Sequence, residues 1–473
     1  MRQGMHAVAQ GASIVAVVFL LSVGVCSQTE KAGGPPVPGQ IADIVCSADA
    51  TQTYALYLPS NYKVDKRWPI VYFFDPGGRG RRPVDMYKDL AEKYGFIFAG
   101  SNNSRNFSSN QSQAVNAIWQ DTHIRLSLDE RRVYVSGFSG GARVAGAMAI
   151  NSSGQIAGVV AHGAGYPNSH GELSEKLLYY FAIGTRDFNW PEAITDGHER
   201  DKQGLPYRVR PYSGTHQWAP PEVMEDAVQW MTIKAMQAKV IPHDPSFIDQ
   251  QFNRMQKEAE DAEKKNDTMT EYEAYRSLAS DFAGLKDVSA ASAKAAALRQ
   301  GSAFKTALKD EQEQISEQFK IEREISPKLS AYESGNVEDL NALRIEIQQA
   351  MAGLKQQGDH AKNEQRRMVA ARAFDDLKVA GIENGQQEFQ AHHFDKAESC
   401  FDLMRQVMDE PWPVLLLAET RLAMGNKKQA LKDLREAVRR GLKDPEILQS
   451  DRELEALRPD PEFQKLMVEM KTK

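Results

Sequence analysis

The segment that most restricts this chain is Arg-Arg-Val-Tyr-Val-Ser-Gly-Phe-Ser-Gly-Gly-Ala-Arg at 131–143. A β-rich apolar run at 133–136 enters Gly137-Phe138-Ser139-Gly140-Gly141, and a helical pattern at 142–150 follows at once. A strand must therefore end, turn sharply and become a helix within five residues, the setting in which a Gly-x-Ser-x-Gly pattern carries meaning. The serine is held in a strained conformation at the strand's end, and side chains two positions to either side would clash, hence the glycines. Ser139 is then presented to solvent with the Gly140 N–H and the dipole of the following helix facing any oxyanion that develops. The plainer alternative is a glycine-rich turn with an incidental serine.

A serine hydroxyl is a poor nucleophile until a base takes its proton, so Ser139 calls for a downstream acid and histidine, in that order. The apolar run at 177–183 ends in Gly184-Thr185-Arg186-Asp187, and the run at 207–212 ends in Ser213-Gly214-Thr215-His216-Gln217-Trp218. Asp187 and His216 thus both follow strand ends, where the ligand crevice of an open α/β sheet lies. Asp196 is the nearest rival acid; His162, also after a strand, and His198 are the rival bases, but only His216 occupies the last loop before the final helix. A second oxyanion donor is expected from the loop after the strand at 70–75, Asp75-Pro76-Gly77-Gly78-Arg79-Gly80, with Gly77 or Gly78 the candidates. Trp119, Trp190 and Trp218 are candidate cleft aromatics, against the commoner role of such rings in core or rim packing.

Candidate strands at 53–58, 70–75, 96–100, 133–136, 156–161, 177–183 and 207–212 alternate with candidate helices at 84–94, 114–126, 142–150 and 222–237. Continuous apolar strands interleaved with helices predict a doubly wound, mostly parallel sheet covered on both faces.

On the strand–turn–helix RVYVSGFSGGA, the acid turn GTRD and the Gly-x-His-x-Trp segment around His216, residues 40–240 resemble the α/β-hydrolase superfamily. Within it they are similar to secreted esterases of the polyhydroxybutyrate-depolymerase and feruloyl-esterase type. The resemblance implies a metal-free ester hydrolase with no cofactor. The chain departs from that pattern where such esterases commonly begin the oxyanion loop with His-Gly, for here Asp75-Pro76 stands. The expectation is an exported serine esterase acting through Ser139, His216 and Asp187. The alternatives are a serine peptidase using the same triad, or a hydrolase-like scaffold without turnover whose helical repeats bind a partner protein.

Charge divides the chain. Residues 1–244 carry 23 Lys+Arg against 22 Asp+Glu and hold 24 of the 33 glycines; the remaining 229 carry 35 against 42 and nine glycines. Neither part has the basic excess of a nucleic-acid binder. The Gly-poor, charged part predicts an all-α region, organised as a helical linker or bundle at 244–364 and helical repeats at 365–473. In the latter, Ala397, Phe401 and Met404 recur 33 residues on as Ala430, Leu434 and Ala437, which resembles a degenerate tetratricopeptide repeat pair.

At the N-terminus a charge-free apolar run at 12–25 is long enough for a signal peptide, short for a membrane span, and predicts cleavage after Ser27. A Pro/Gly-rich spacer to residue 40 and the α/β domain at 41–243 would follow, in a periplasmic or extracellular protein with no membrane span after cleavage. Lipid anchoring at Cys26 is the lesser reading, because Val25 is bulkier than such signals prefer. Cys46 and Cys400 then remain, too few for a disulfide scaffold, and Cys400 lies in an apolar helical pattern that predicts a buried thiol. Asn102, Asn106, Asn110 and Asn151 begin Asn-x-Ser acceptor patterns, the first three in a polar loop expected near the site. No Cys/His cluster has zinc spacing, and 77–80 lacks the Lys-Ser/Thr of a phosphate loop.

Overall fold

Strands apolar on both faces need cover on both, and β3 (Trp68–Phe74) is buried along its whole length. It lies near the middle of the sheet in a computed structural model that describes residues 36–167, 174–335 and 337–471. The leader expected at 1–27, with Cys26, and residues 28–35 of the spacer lie outside the described residues. The other strands are β1 (Ile41–Val45), β2 (Thr53–Tyr57), β4 (Ile97–Ser101), β5 (Leu128–Phe138), β6 (Gly158–His162), β7 (Leu178–Gly184) and β8 (Tyr207–Tyr212). Their order is β1-β2-β4-β3-β5-β6-β7-β8, antiparallel at the β1/β2 and β2/β4 pairs and parallel from β4 through β8.

Helices α1 (Arg81–Tyr94), α2 (Gln111–Arg125), α3 (Gly140–Asn151), α4 (Trp190–Gln203) and α5 (Pro221–Gln237) connect or follow the strands. Val71 and Phe73 of β3 join Val84 and Tyr87 of α1 and Val223, Met224 and Trp230 of α5 in one apolar cluster. Tyr72, pointing the other way, meets Thr122 of α2 at 2.6 Å, as the period of two requires. The chain order reverses between β3 and β5, so the loops leaving their C-terminal ends diverge and open a crevice there. Strand β1 and helix α4 were not legible as patterns: Asp43 interrupts the first, and Pro191 and Gly197 interrupt the second.

The chain divides into two compact units between Glu313 and Gln314, not at the composition change near 243. Helices α6 (Pro245–Lys264), α7 (Thr268–Asp281) and α8 (Ser289–Gln300) belong to the sheet's unit because α5 still has an apolar face to cover. Ile233 and Met236 of α5 are buried with Ile248, Met255, Leu278 and Ala291 from these three helices and with Phe282 just past the end of α7. A buried ion cluster ties the same helices to the sheet's edge strand. Arg208 of β8 pairs with Asp226 of α5 at 3.1 Å and Asp281 of α7 at 2.7 Å, and Arg254 of α6 reaches Asp226 at 2.7 Å.

Helix α9 (Ser302–Ser334) contains the unit boundary. The second unit continues with α10 (Leu340–His360), α11 (Glu364–Gln390), α12 (Phe394–Val407), α13 (Trp412–Ala423), α14 (Lys427–Arg439), α15 (Pro445–Ser450) and α16 (Pro461–Lys471). From α10 to α14 each helix packs on the next. The 33-residue echo falls on equivalent buried positions, Ala397, Phe401 and Met404 of α12 and Ala430, Leu434 and Ala437 of α14. Cys46 and Cys400 are both buried free thiols, and burial pushes each up to about 12. No helix among the described residues is long and apolar enough to cross a membrane.

Candidate active site

Strand β5 ends at Phe138 and α3 starts at Gly140, leaving Ser139 alone at the corner with φ +54° and ψ −123°, a strained conformation for a residue with a side chain. Two close approaches make the corner possible. A Cβ at Gly137 would strike the Gly141 carbonyl, and one at Gly141 would strike the carbonyl of Phe74 in β3. The Ser139 N–H donates to the His162 carbonyl at 2.9 Å and fixes the turn to β6. The Gly140 N–H is among the first donors of α3, which have no acceptor within their own helix.

Three strand ends then converge. Ser139 Oγ lies 2.9 Å from His216 Nε2, and His216 Nδ1 lies 2.9 and 3.0 Å from the two carboxylate oxygens of Asp187. Since a carboxylate can only accept, Nδ1 carries the proton, leaving Nε2 to accept from the serine hydroxyl. Asp187 is fully buried, while His216 keeps 18% of its side chain exposed, so the relay is open to a ligand at its serine end only. The loops carrying the acid and the base are stitched together: the Thr185 N–H donates to the Tyr212 carbonyl and the Arg186 N–H to the Gly214 carbonyl, each at 2.9 Å.

Several supporting residues escaped sequence reasoning. Asn189 donates its backbone N–H to Asp187 Oδ1 at 2.9 Å and its side-chain Nδ2 to the Gly163 carbonyl at 2.8 Å. Gly163 has φ +60°, and a Cβ there would lie 2.8 Å from Asp187 Oδ2 and 3.2 Å from His216 Nδ1. Phe138 and Phe188 flank the imidazole with ring centroids at 4.5 and 4.1 Å. The only sequence signal for these was proximity to strand ends.

The oxyanion loop differs from expectation. Asp75 is fully buried and takes both glycine donors: the Gly77 N–H goes to its Oδ1 at 2.8 Å and the Gly78 N–H to its backbone carbonyl at 2.9 Å. Gly77 and Gly78 are thus corrected as donors to a ligand, because the carboxylate and the backbone carbonyl of Asp75, standing where His-Gly was expected, draw one hydrogen each. Asp75 also accepts from Arg79 Nε and Trp218 Nε1, each at 2.9 Å. Trp218 is accordingly not a cleft wall: it is 3% exposed, packed among Phe73, Tyr87, Phe138 and His162, and it ties the loop after β3 to the loop carrying His216. Trp119 stacks against His123 and Tyr72 on the α2 side of the sheet, and Trp190 is buried at the start of α4.

The rival residues have other surroundings. His162 is buried, its Nε2 3.2 Å from Ser136 Oγ, and burial holds its imidazole down at about 3. His198 meets Glu311 at 2.6 Å. Asp196 accepts the Tyr166 N–H at 2.6 Å, and burial pushes its carboxyl up to about 7.

His162 has a consequence for stability. The unfolded chain takes up its proton near 6.5 and the folded chain only near 3, so acidification through that interval favours unfolding. This one group contributes up to about 1.4 kcal/mol per pH unit. Urea unfolding of the parent and His162→Gln at pH 7 and pH 5 should show the gap between them narrowing at the lower pH; a constant gap would contradict it.

Among the described residues no group of three or more His, Cys, Asp or Glu is placed to hold a metal ion. No protein-family model and no curated protein matches the chain. Solved structures similar to it include the S-formylglutathione hydrolase of Staphylococcus aureus, at 13% identity over 42% of this chain and 99% of that one, with a TM-score of 0.34. A ferulic acid esterase matches at 15% identity over 40% of this chain and 93% of its own, with a TM-score of 0.32. An esterase from the archaeon Pyrobaculum calidifontis matches at 15% identity over 43% and 86%, with a TM-score of 0.33. Likeness at this level leaves substrate and reaction to be read from the side chains themselves.

Proposed function

We propose that this chain is a serine hydrolase that cleaves carboxylic esters through an acyl-enzyme. The observation that carries the reading is the unbroken relay from Ser139 Oγ through His216 to Asp187, with each link near 2.9 Å and the serine held in a strained corner. Ser139 Oγ attacks the ester carbonyl while His216 Nε2 takes its proton. The Gly140 N–H stabilises the negative charge that develops on the carbonyl oxygen. His216 returns the proton to the departing alcohol, and the acyl group stays on Ser139. Water then attacks the acyl-enzyme, giving its proton to His216, and the carboxylic acid leaves as Oγ recovers that proton. Asp187 fixes the imidazole tautomer and supports the positive charge formed in each half-reaction. The apolar leader at 12–25 is the support for export.

An aryl fluorophosphonate tests the nucleophile directly. Incubation of the folded full chain, then peptide mapping, should place the phosphonyl group on Ser139 alone, and urea-unfolded protein should not react. Labelling elsewhere, or none, would remove the assignment. Running p-nitrophenyl acetate beside a peptide p-nitroanilide separates ester from amide hydrolysis: the reading requires the ester to be the faster by kcat/KM, and a faster anilide would make the enzyme a peptidase.

A further inference from the structure

Acyl transfer ordinarily uses two oxyanion donors, and with Gly77 and Gly78 both bonded to Asp75 the two amides expected to join the Gly140 N–H are engaged elsewhere. We propose that the side-chain carboxamide of Asn106 supplies the second. This inference rests on the reading of Ser139 as nucleophile.

The carboxamide sits directly over Gly140. A Cβ built on that glycine would collide with it, coming nearest to Asn106 Oδ1, with Nδ2 at 2.5 Å and Cγ at 2.7 Å. Within one residue N and Cβ are about 2.5 Å apart, which puts Nδ2 no more than about 5 Å from the Gly140 nitrogen. Two donors sharing one oxygen at 2.7–3.1 Å are separated by about that distance. The glycine after the nucleophile therefore has a second purpose, since any side chain at 140 would displace the Asn106 head group.

Asn106 is also held and uncommitted. Its backbone N–H donates to the Pro76 carbonyl at 2.8 Å, and the neighbouring Arg105 carbonyl accepts from Gln111 Nε2 at 2.9 Å. Phe107, next in the chain, sits at φ +61°. The residue is half-buried, and its carboxamide has no hydrogen-bond partner among the described residues. The two ends of a carboxamide are nearly isosteric, and a developing anion selects the Nδ2 end. The oxyanion then receives one N–H from Gly140 and one from Asn106, and no covalent bond to Asn106 is made or broken.

Asn106→Ala and Asn106→Asp, made in the full chain and assayed with p-nitrophenyl acetate, should each lower kcat by about 10²–10³-fold with KM changed less than about threefold. An aryl trifluoromethyl ketone, whose adduct on Ser139 carries the oxyanion, should lose affinity by a similar factor, with the thermal midpoint unchanged. A merely structural Asn106 would lower the midpoint instead and leave the ketone bound as tightly. If Asn106→Ala keeps kcat within about threefold of a parent whose turnover requires Ser139, the oxyanion assignment falls and the hydrolase reading stands. If the parent shows no Ser139-dependent turnover, both fall.

Discussion

Replacing Ser139 by Ala should lower kcat for aryl esters by about 10⁶-fold, leaving a residual rate about 10³–10⁴ above the uncatalysed reaction from binding and oxyanion stabilisation. The size follows from the relay acting as a unit. Ser139, His216 and Asp187 are hydrogen-bonded in series, so losing the nucleophile idles the base and its orienting acid together. Ser139→Ala combined with His216→Ala should therefore be hardly slower than either alone, whereas independent residues would multiply their effects. Steady-state kinetics on the three proteins, with circular dichroism to establish equal folding, reads this directly. Turnover that survives Ser139→Ala within tenfold of the parent, about 1.4 kcal/mol, would remove the serine from the mechanism.

The second large effect concerns stability and lies away from the serine. Arg208→Ala should destabilise the sheet-containing unit by about 3 kcal/mol, because it removes the partner shared by two buried carboxylates. Burial alone would raise the Asp226 carboxyl, but Arg208, Arg254 and Arg210 outweigh it and hold the group well below the usual carboxylate range. Asp281 is likewise buried and held low by Arg208 and Lys234. Without Arg208, Asp226 keeps Arg254 at 2.7 Å and Asp281 keeps Lys234 at 3.5 Å, so the loss is partial rather than the full cost of two bare charges.

The pH dependence of that loss has a definite sign. A carboxylate whose folded pKa lies below its unfolded value stabilises fully above the unfolded value, near 3.8 for Asp, and that contribution is lost as pH falls through the folded one. The gap between parent and Arg208→Ala should be widest near neutrality and shrink below about pH 4. Urea unfolding at pH 7 and pH 3 measures it: a cost below about 1 kcal/mol at pH 7 would mean the cluster is dispensable, and a gap that stays constant would mean that Arg208 does not hold the carboxylates low.

The serine corner was readable from sequence because its causes are local. Strand, glycines and helix lie within one stretch of chain, and the steric reason for each glycine involves atoms a few residues away or on the adjacent strand. Asp187 and His216 were readable one step removed, since strand ends in a parallel sheet face the same edge, which brings residues 139, 187 and 216 together without knowledge of any contact. The direct hydrogen bonds among them are what spacing could not supply.

Failures of the sequence reading share one cause, competition between groups distant in the chain. The amides of Gly77 and Gly78 looked free because glycine imposes no obstruction, yet the carboxylate and carbonyl of Asp75 claim them. Asp75 in turn is held by Trp218, 143 residues away. Trp218 was one of three candidate cleft aromatics, but its indole N–H finds its acceptor inward. Asn106 stood out in the sequence only as one of three Asn-x-Ser acceptor patterns in a polar loop, until the fold laid its carboxamide over Gly140. The charged helices after residue 243 looked like the start of another body, and they join the sheet's unit because α5 has two apolar faces and Arg208 needs both Asp226 and Asp281.

Local chemistry thus pointed in advance to the side chains that the fold brings together: a serine in a strained glycine turn, with an acid and a histidine at later strand ends. Which backbone and side-chain donors remain available to a substrate, and where one compact unit stops, depended on the folded whole. A hydrogen bond or a buried charge goes to whichever partner three-dimensional packing brings closest, and no one-dimensional spacing ranks those competitors.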